Sequence, residues 1–463
     1  MALTDRDLAV LWHPCAQMQD YQTFAPLEVV GAKGCELELA DGRRIIDVIA
    51  SWWCKALGHG HPRLLGALRE QAERFEHVIL ANTTNAGVVR LCERLLAVGN
   101  GAPAAEWGPD AVPGRLDGHF GKVFLADNGS TGVEIALKMA LQAQAQRGQT
   151  GRQRFAALRN GYHGETVATL AVGDCGLYGE PYRPLMFPVP MLDGLPYRSG
   201  PDAPRWNDAS AEWPAIEAQL NALSGELAAV IYEPVLQGAG GMLLYSPDLL
   251  RRLRAWADAH EVYLIADEIA AGFGRCGTML ASHLAGADAL PDFAVVSKGL
   301  TGGVLPLSAV LTTDAIYAHF LGDYSSMRGF LHSNTYTGNA LAVAVANAAL
   351  DVFAEEQILD HVARTGPQLQ AGLASLAKIR AGLRNLRGVG MMAAIDLRRE
   401  DGSAFAKEDR IGYHVYQAAV ERGALLRPLG DTLYLFPPLT MDAATIDRVI
   451  AIAGDSIDAV VRR

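Results

Sequence analysis

Apolar residues gather in short unbroken runs that stop at polar or glycine residues: KVFLADNGS, RFAALRNGYHG, LAAVIYEPV, VYLIADE and FAVVSKG, all between residues 122 and 299. A strand apolar at every position is buried on both faces, and helical patterns stand between these runs. The pattern predicts an α/β domain with a mostly parallel sheet flanked by helices, and with chemistry at the carboxyl ends of the strands. After the first run the period changes: in DNGSTGVEIALKMALQAQ, Val133, Leu137, Ala140 and Leu141 share one helical face. The proline- and glycine-rich MLDGLPYRSGPDAPRW reads as a long surface loop of the same domain. Beyond about residue 345, helical segments lead to GALLRPLGDTLYLFPPL, the pattern of a smaller α+β lobe. The expected division is 1–60, a strand-rich N-terminal arm and part of the small domain; 61–344, the large domain; and 345–463, the C-terminal small domain.

Composition narrows the function classes. Half of the 463 residues are hydrophobic and a fifth charged, which suits a soluble protein of two or three lobes. A formal charge of −11 and the lack of any Lys/Arg-rich run argue against nucleic acid or an anionic membrane as partner, since basic surface grips both, and for small molecules. No run of about 18 apolar residues occurs; even NALAVAVANAALDVF carries asparagines and reads as a packed helix. The start MALTDRDLAVLWHPCAQ lacks signal-peptide character, so the cytoplasm is the expected location. Cys15, Cys35, Cys54, Cys92, Cys175 and Cys276 are irregularly spaced with no C-x-x-C pair, which supports neither a disulfide framework nor a zinc site; most are expected as small core residues.

The strand ends carry the candidate chemistry. Gly129, Ser130, Thr131 and Gly132 precede a helix, where glycines permit close approach, hydroxyls donate and free N–H groups meet an anion; a phosphate cradle and an ordinary capped turn are both open readings. Lys298 ends an apolar strand, a position where a desolvated amine loses basicity and condenses with an aldehyde. Asp267 ends VYLIAD, where a buried carboxylate calls for a cationic partner. After that strand, Gly272, Gly274 and Gly277 spell G-x-G-x-x-G, so a nicotinamide oxidoreductase is the rival reading. His59 and His61 of GHGHP lack an accompanying carboxylate set, so a turn is expected there and no metal.

A phosphate cradle, the aromatic-His turn NGYHGET with Tyr162, a strand-end Asp and a strand-end Lys, in that order, are the parts needed to hold pyridoxal phosphate. Over essentially its full length the chain resembles the class III aminotransferases of fold type I. The likeness rests on LWHP, DGRRIIDVIASWWC, DNGSTGVEIALKMALQ, RNGYHGETVATLAVGD, YEPVLQGAGGM, IADEIAAGFGRCG, SKGLTGG and RPLGDTLYLFPP. Trp52 with Trp53, and Ala270 where many members have a glutamine, point to the branch that aminates 8-amino-7-oxononanoate in biotin biosynthesis.

The resemblance implies that Lys298 bonds to the cofactor's aldehyde and shuttles a proton, that Asp267 keeps the pyridine nitrogen protonated, that Tyr162 lies by ring and substrate, and that Gly129 and Ser130 bind phosphate. It also implies a homodimer with shared active sites, in which HSNTYTG crosses over and Thr335 reaches the other subunit's phosphate beside Ser333 and Asn334. For the substrate, Trp52 and Tyr162 would supply apolar wall and Arg427 a forked carboxylate partner, while Trp53 is expected as packing. Glu233 matches an acid used near the substrate side, and Arg275 is expected to pair with a carboxylate. S-adenosylmethionine is the expected donor, its sulfonium lying on an aromatic face, with lysine as alternative donor and a general ω-aminotransferase as the wider alternative. Cys15 stands where the branch often has a tyrosine that helps recognise substrate, and HSNT where H-G-P-T is frequent.

Overall fold

The computed structural model describes residues 2–111, 118–174, 176 and 178–461. Cys175 lies outside the described residues.

Each of the five apolar runs forms a strand: Lys122–Ala126, Arg154–Leu158, Leu227–Tyr232, Tyr263–Asp267 and Phe293–Val296. Two further strands join them in a seven-stranded sheet, ordered Lys122–Ala126, Ser308–Thr312, Phe293–Val296, Tyr263–Asp267, Leu227–Tyr232, Arg154–Leu158, Met191–Leu192. Ser308–Thr312 runs antiparallel to both neighbours, and the other pairings are parallel. The absence of polar alternation has a direct cause. Ala156, Leu158, Val230, Tyr232, Leu264 and Ala266 point into one core with the helix Asp248–His260, whereas Phe155, Ala157, Ala229, Ile231, Tyr263 and Ile265 point into another with the helix Gly129–Gln146. Side chains of a strand alternate between faces, so two covered faces require an apolar residue at every position.

Two expectations need correction. In the helix Gly129–Gln146, Val133, Leu137 and Ala140 are buried, but Leu141 is 37% exposed. The buried stripe is centred on Ala136, Ala140 and Ala143, and Leu141 falls at its margin. The stretch 191–206 is not merely a surface loop. It contributes the edge strand Met191–Leu192 and the strand Tyr197–Arg198, which pairs with Leu243–Tyr245, and it buries Leu192, Leu195 and Trp206. Its prolines and glycines punctuate the chain without freeing the apolar residues between them.

The chain ends meet in a separate sheet. Val29–Lys33, Glu36–Leu39 and Arg44–Asp47 form an antiparallel set, and Ala424–Leu425 adds alongside Arg44–Asp47 in parallel. Leu383–Val389, Met392–Leu397 and Thr432–Leu435 form a further, antiparallel sheet, backed by the helices Ile358–Lys378 and Ala443–Val461. Among the described residues no helix is long and apolar enough to cross a membrane. Of the cysteines, Cys276 is buried, Cys35, Cys54 and Cys92 are partly buried, and Cys15 is exposed, so the core expectation fits Cys276 best.

Candidate active site

At the end of the strand Lys122–Ala126 the chain turns through Asn128 into the helix that begins at Gly129. The Asn128 side chain accepts the Thr131 N–H at 3.1 Å, and the Thr131 hydroxyl donates to the Asn128 carbonyl at 2.8 Å. Both bonds are those of a helix cap, so Thr131 is committed to the cap while Gly129 and Ser130 face the cavity beyond it. A Cβ at Gly129 would lie 2.8 Å from Ile269 Cδ1, so any larger residue would have to push the Ile269 side chain aside for the helix start to sit against the residues after Asp267.

That cavity, of about 370 Å³, opens at the carboxyl ends of the sheet strands and is lined by Gly129, Ser130, Tyr162, His163, Glu233, Asp267, Lys298 and Trp53 among others. Lys298 follows Phe293–Val296 with φ 40°, a left-handed backbone that aims its side chain inward. Its Nζ lies 5.2 Å from the centre of the Trp53 ring. Burial holds the ammonium below the usual lysine range, opposed by the nearby Asp267 and Glu233 carboxylates. Asp267, 3% exposed, accepts the Ile269 N–H at 3.1 Å, and its Oδ2 lies 2.9 Å from His163 Nδ1. His163 Nε2 is buried and has no hydrogen-bond partner among the described residues.

In the sequence His163 reads only as part of the aromatic-His turn, without a role of its own. It was visible in NGYHGET, but its partner Asp267 is 104 residues away. Glu233, also buried, accepts the Tyr162 N–H and the Gly238 N–H, each at 2.9 Å, and thereby ties the turn carrying Tyr162 to the end of Leu227–Tyr232. Burial, countered in part by His163, pushes its carboxyl up to about 7.

A second group of residues, none of which lines that cavity, adjoins it through Tyr162. The Arg427 guanidinium lies 4.1 Å from the centre of the Trp52 ring, and its Nη2 donates to the Cys15 carbonyl at 3.3 Å. Arg427 makes no ion pair with a carboxylate among the described residues. The Cys15 thiol lies 3.7 Å from the Tyr178 hydroxyl, and the Tyr178 ring packs on that of Tyr162 at 5.8 Å. Tyr178 thus brings a phenol to where Cys15 lacks one, a proximity across 163 positions that local sequence does not signal.

Two expectations change. Trp53 is more than packing: it is 6% exposed, lines the lysine cavity and donates from Nε1 to the Tyr434 hydroxyl at 3.2 Å. Arg275 pairs with no carboxylate among the described residues; it lies 3.7 Å from the Phe436 ring centre and donates to the Met391 carbonyl at 2.6 Å, and burial lowers it to about 9. Ser333, Asn334 and Thr335, the residues expected at the other subunit's site, do not line the cavity of their own chain.

The glycine turn 272–277 folds back on itself, Phe273 N–H donating to Met279 and Gly274 N–H to Thr278. Only the short 3₁₀ turns Ala281–Ala285 and Ala287–Ala289 stand between it and the strand Phe293–Val296, not the α-helix that a dinucleotide unit requires. His59 bonds to Asp47 and His61 to Glu356. No metal-holding group of three occurs among the described residues.

The donor set fits pyridoxal phosphate. A lysine amine made less basic by enclosure, a fixed carboxylate at a neighbouring strand end and a Cβ-free helix start converge on one ring-sized cavity. These match the aldehyde, the basic ring nitrogen and the phosphate respectively.

The aminotransferase class-III family model matches residues 17–457. The adenosylmethionine-8-amino-7-oxononanoate aminotransferase of Nitratidesulfovibrio vulgaris is 38% identical, over 99% of this chain and 82% of that protein. The crystal structure of the enzyme of the same name from Methanocaldococcus jannaschii superposes with a TM-score of 0.88 at 29% identity, covering 99% of each chain. A PLP-bound amine transaminase from an uncultivated Pseudomonas species gives 0.86 at 29% identity, over 97% of this chain and 99% of that one. With the strand-end lysine, carboxylate and helix start already in one cavity, the chain belongs to the class III aminotransferases, pyridoxal-phosphate-dependent enzymes of fold type I.

Proposed function

We propose that this aminotransferase converts 8-amino-7-oxononanoate to 7,8-diaminononanoate in biotin biosynthesis, with S-adenosylmethionine as amino donor, in the cytoplasm and as a homodimer. The observation that carries the reading is Arg427, a guanidinium without a carboxylate partner among the described residues, laid on the Trp52 face. An aliphatic keto acid needs an apolar wall ending in a cation. The names of the relatives support the same substrate pair.

Bound pyridoxal phosphate supplies an aldehyde for amines and a ring that accepts electrons. The residue roles are part of the proposal and are those that the resemblance to the family implies. Lys298 Nζ holds the cofactor and then moves the proton, a task eased by a depressed basicity. Asp267, fixed through His163 and Ile269, keeps a negative charge at the ring nitrogen. Gly129 and Ser130 hold phosphate at the helix start, with Thr335 and Asn334 of a second copy completing the cradle and Ser333 lying toward substrate. Tyr162 and Trp52 pack against substrate, Arg427 takes its carboxylate, and Cys15 stands at the same mouth.

Cys15, in place of the branch's tyrosine, favours testing a second donor, lysine. Purified protein loaded with pyridoxal phosphate and 8-amino-7-oxononanoate is given S-adenosylmethionine or lysine in parallel, and 7,8-diaminononanoate is measured. Product with S-adenosylmethionine is the expected result. Product with lysine alone reassigns the donor, and reaction only with simple ω-amines and pyruvate makes the chain a general ω-aminotransferase.

A further inference from the structure

Ala50, Ser51, Trp52 and Trp53 have φ of 46°, 47°, 82° and 71°: four consecutive non-glycine residues in left-handed backbone. They form one left-handed helical turn, with Trp53 N–H donating to Ile49 at 2.8 Å and Cys54 N–H to Ala50 at 3.0 Å. L-residues avoid this conformation because Cβ crowds the following carbonyl oxygen, and runs of it are rarer still. Such a turn persists only where its surroundings over-determine it.

The surroundings hold the turn's backbone through one buried side chain. Asp47, fully buried at the end of Arg44–Asp47, accepts the Ile49 N–H at 3.3 Å, the Ser51 N–H at 3.0 Å and the Ser51 hydroxyl at 2.7 Å. His59 Nε2 lies 2.8 Å from Oδ2, the oxygen that also accepts the Ser51 hydroxyl. Burial opposes the charge on Asp47, but the hydrogen bonds from His59 and Ser51 more than reverse it, so the anchor is a carboxylate.

The turn also has a consequence at the site. It separates adjacent tryptophans, Trp53 inward at 5.2 Å from Lys298 Nζ and Trp52 outward under Arg427 at 4.1 Å.

We propose that Asp47, with Ser51 and His59, is a positioning residue for substrate recognition: it holds the left-handed turn that sends Trp53 against the lysine and Trp52 to the carboxylate-binding arginine. The inference rests on the substrate reading above for its kinetic expression, but not for its structural one. Asp47 is fully buried and does not line the lysine cavity.

The test uses the full-length holoenzyme as wild type, Asp47→Ala, Ser51→Ala and the double variant Asp47→Ala with Ala50→Gly, glycine being the residue that enters left-handed backbone without crowding. In Asp47→Ala the near-UV tryptophan circular dichroism should fall, and KM for the keto acid should rise at least 10-fold while kcat changes less than 3-fold. Ser51→Ala, the milder lesion, should move both readouts in the same direction by about a third as much on a logarithmic scale, and it serves if Asp47→Ala does not fold. Ala50→Gly should recover at least half of the logarithmic loss and part of the dichroism.

An unchanged dichroism and KM in Asp47→Ala and Ser51→Ala would overturn the proposal. So would a loss shared equally by KM and kcat that glycine does not relieve, the mark of a general core defect. If wild type fails to aminate 8-amino-7-oxononanoate, the substrate reading falls, and the dichroism and its rescue by glycine still decide the role of Asp47.

Discussion

Asp267 is proposed to face the cofactor's ring nitrogen and Arg427 the substrate's carboxylate, so their substitution should separate the half-reactions. In Asp267→Asn the amide keeps the contact with Ile269 N–H but gives up the charge, so proton transfer from the donor should slow by about 10²-fold or more while the cofactor still binds. Rapid-mixing absorbance of the bound cofactor reads this, and near-normal single-turnover rates would count against the role. Arg427→Ala should weaken keto-acid use by about 2 kcal/mol, the lower end of the range for a charge pair because the guanidinium is only half-buried. The donor half-reaction should suffer less; equal loss in both would mark Arg427 as structural. Both residues were legible in the sequence as a charge ending an apolar strand and a cation in LLRPLG. Trp53 was not, because its inward direction depends on a left-handed turn in Ala-Ser-Trp-Trp that contains no glycine to announce it.

The elements around the cavity owe their legibility to burial on both faces. The five runs that end at the cavity are apolar without interruption, and each became a strand; Ser308–Thr312 was missed because serine and threonine bound a short apolar centre, and Met191–Leu192 because two residues carry no period. The helix Gly129–Gln146 was legible from its start, where Asn128 caps it. Asn128→Ala should therefore cost about 1 kcal/mol of stability, seen as a lower urea midpoint with unchanged slope, while Asn128→Asp should retain most of it. A midpoint unmoved by alanine would mean that cofactor-side packing, not the cap, fixes the helix start.

At the scale of the whole molecule, one chain does not bring Ser333–Thr335 to its own cavity, and the flanking surface is apolar: Leu331 is 82% exposed, Tyr336 60% and Ile79 63%. The segments 76–80 and 336–339 adjoin, with His77 and Tyr336 rings 5.5 Å apart and Asn339 bonded to the Glu76 carbonyl. Exposed apolar patches of this kind mark interaction surfaces. Sedimentation at micromolar concentration should give a species of twice 49.5 kDa, and Leu331→Asp should shift it toward monomer with loss of turnover; a fully active monomer would remove the shared-site proposal. The central claim is that Lys298 is the amine that takes the cofactor, and it is tested most directly by adding pyridoxal phosphate, reducing with borohydride and mapping the peptides by mass spectrometry. The account predicts the reduced cofactor's mass on the peptide containing Lys298 and its loss in Lys298→Ala, which should remain folded; the mass on another lysine, or on none, would contradict it.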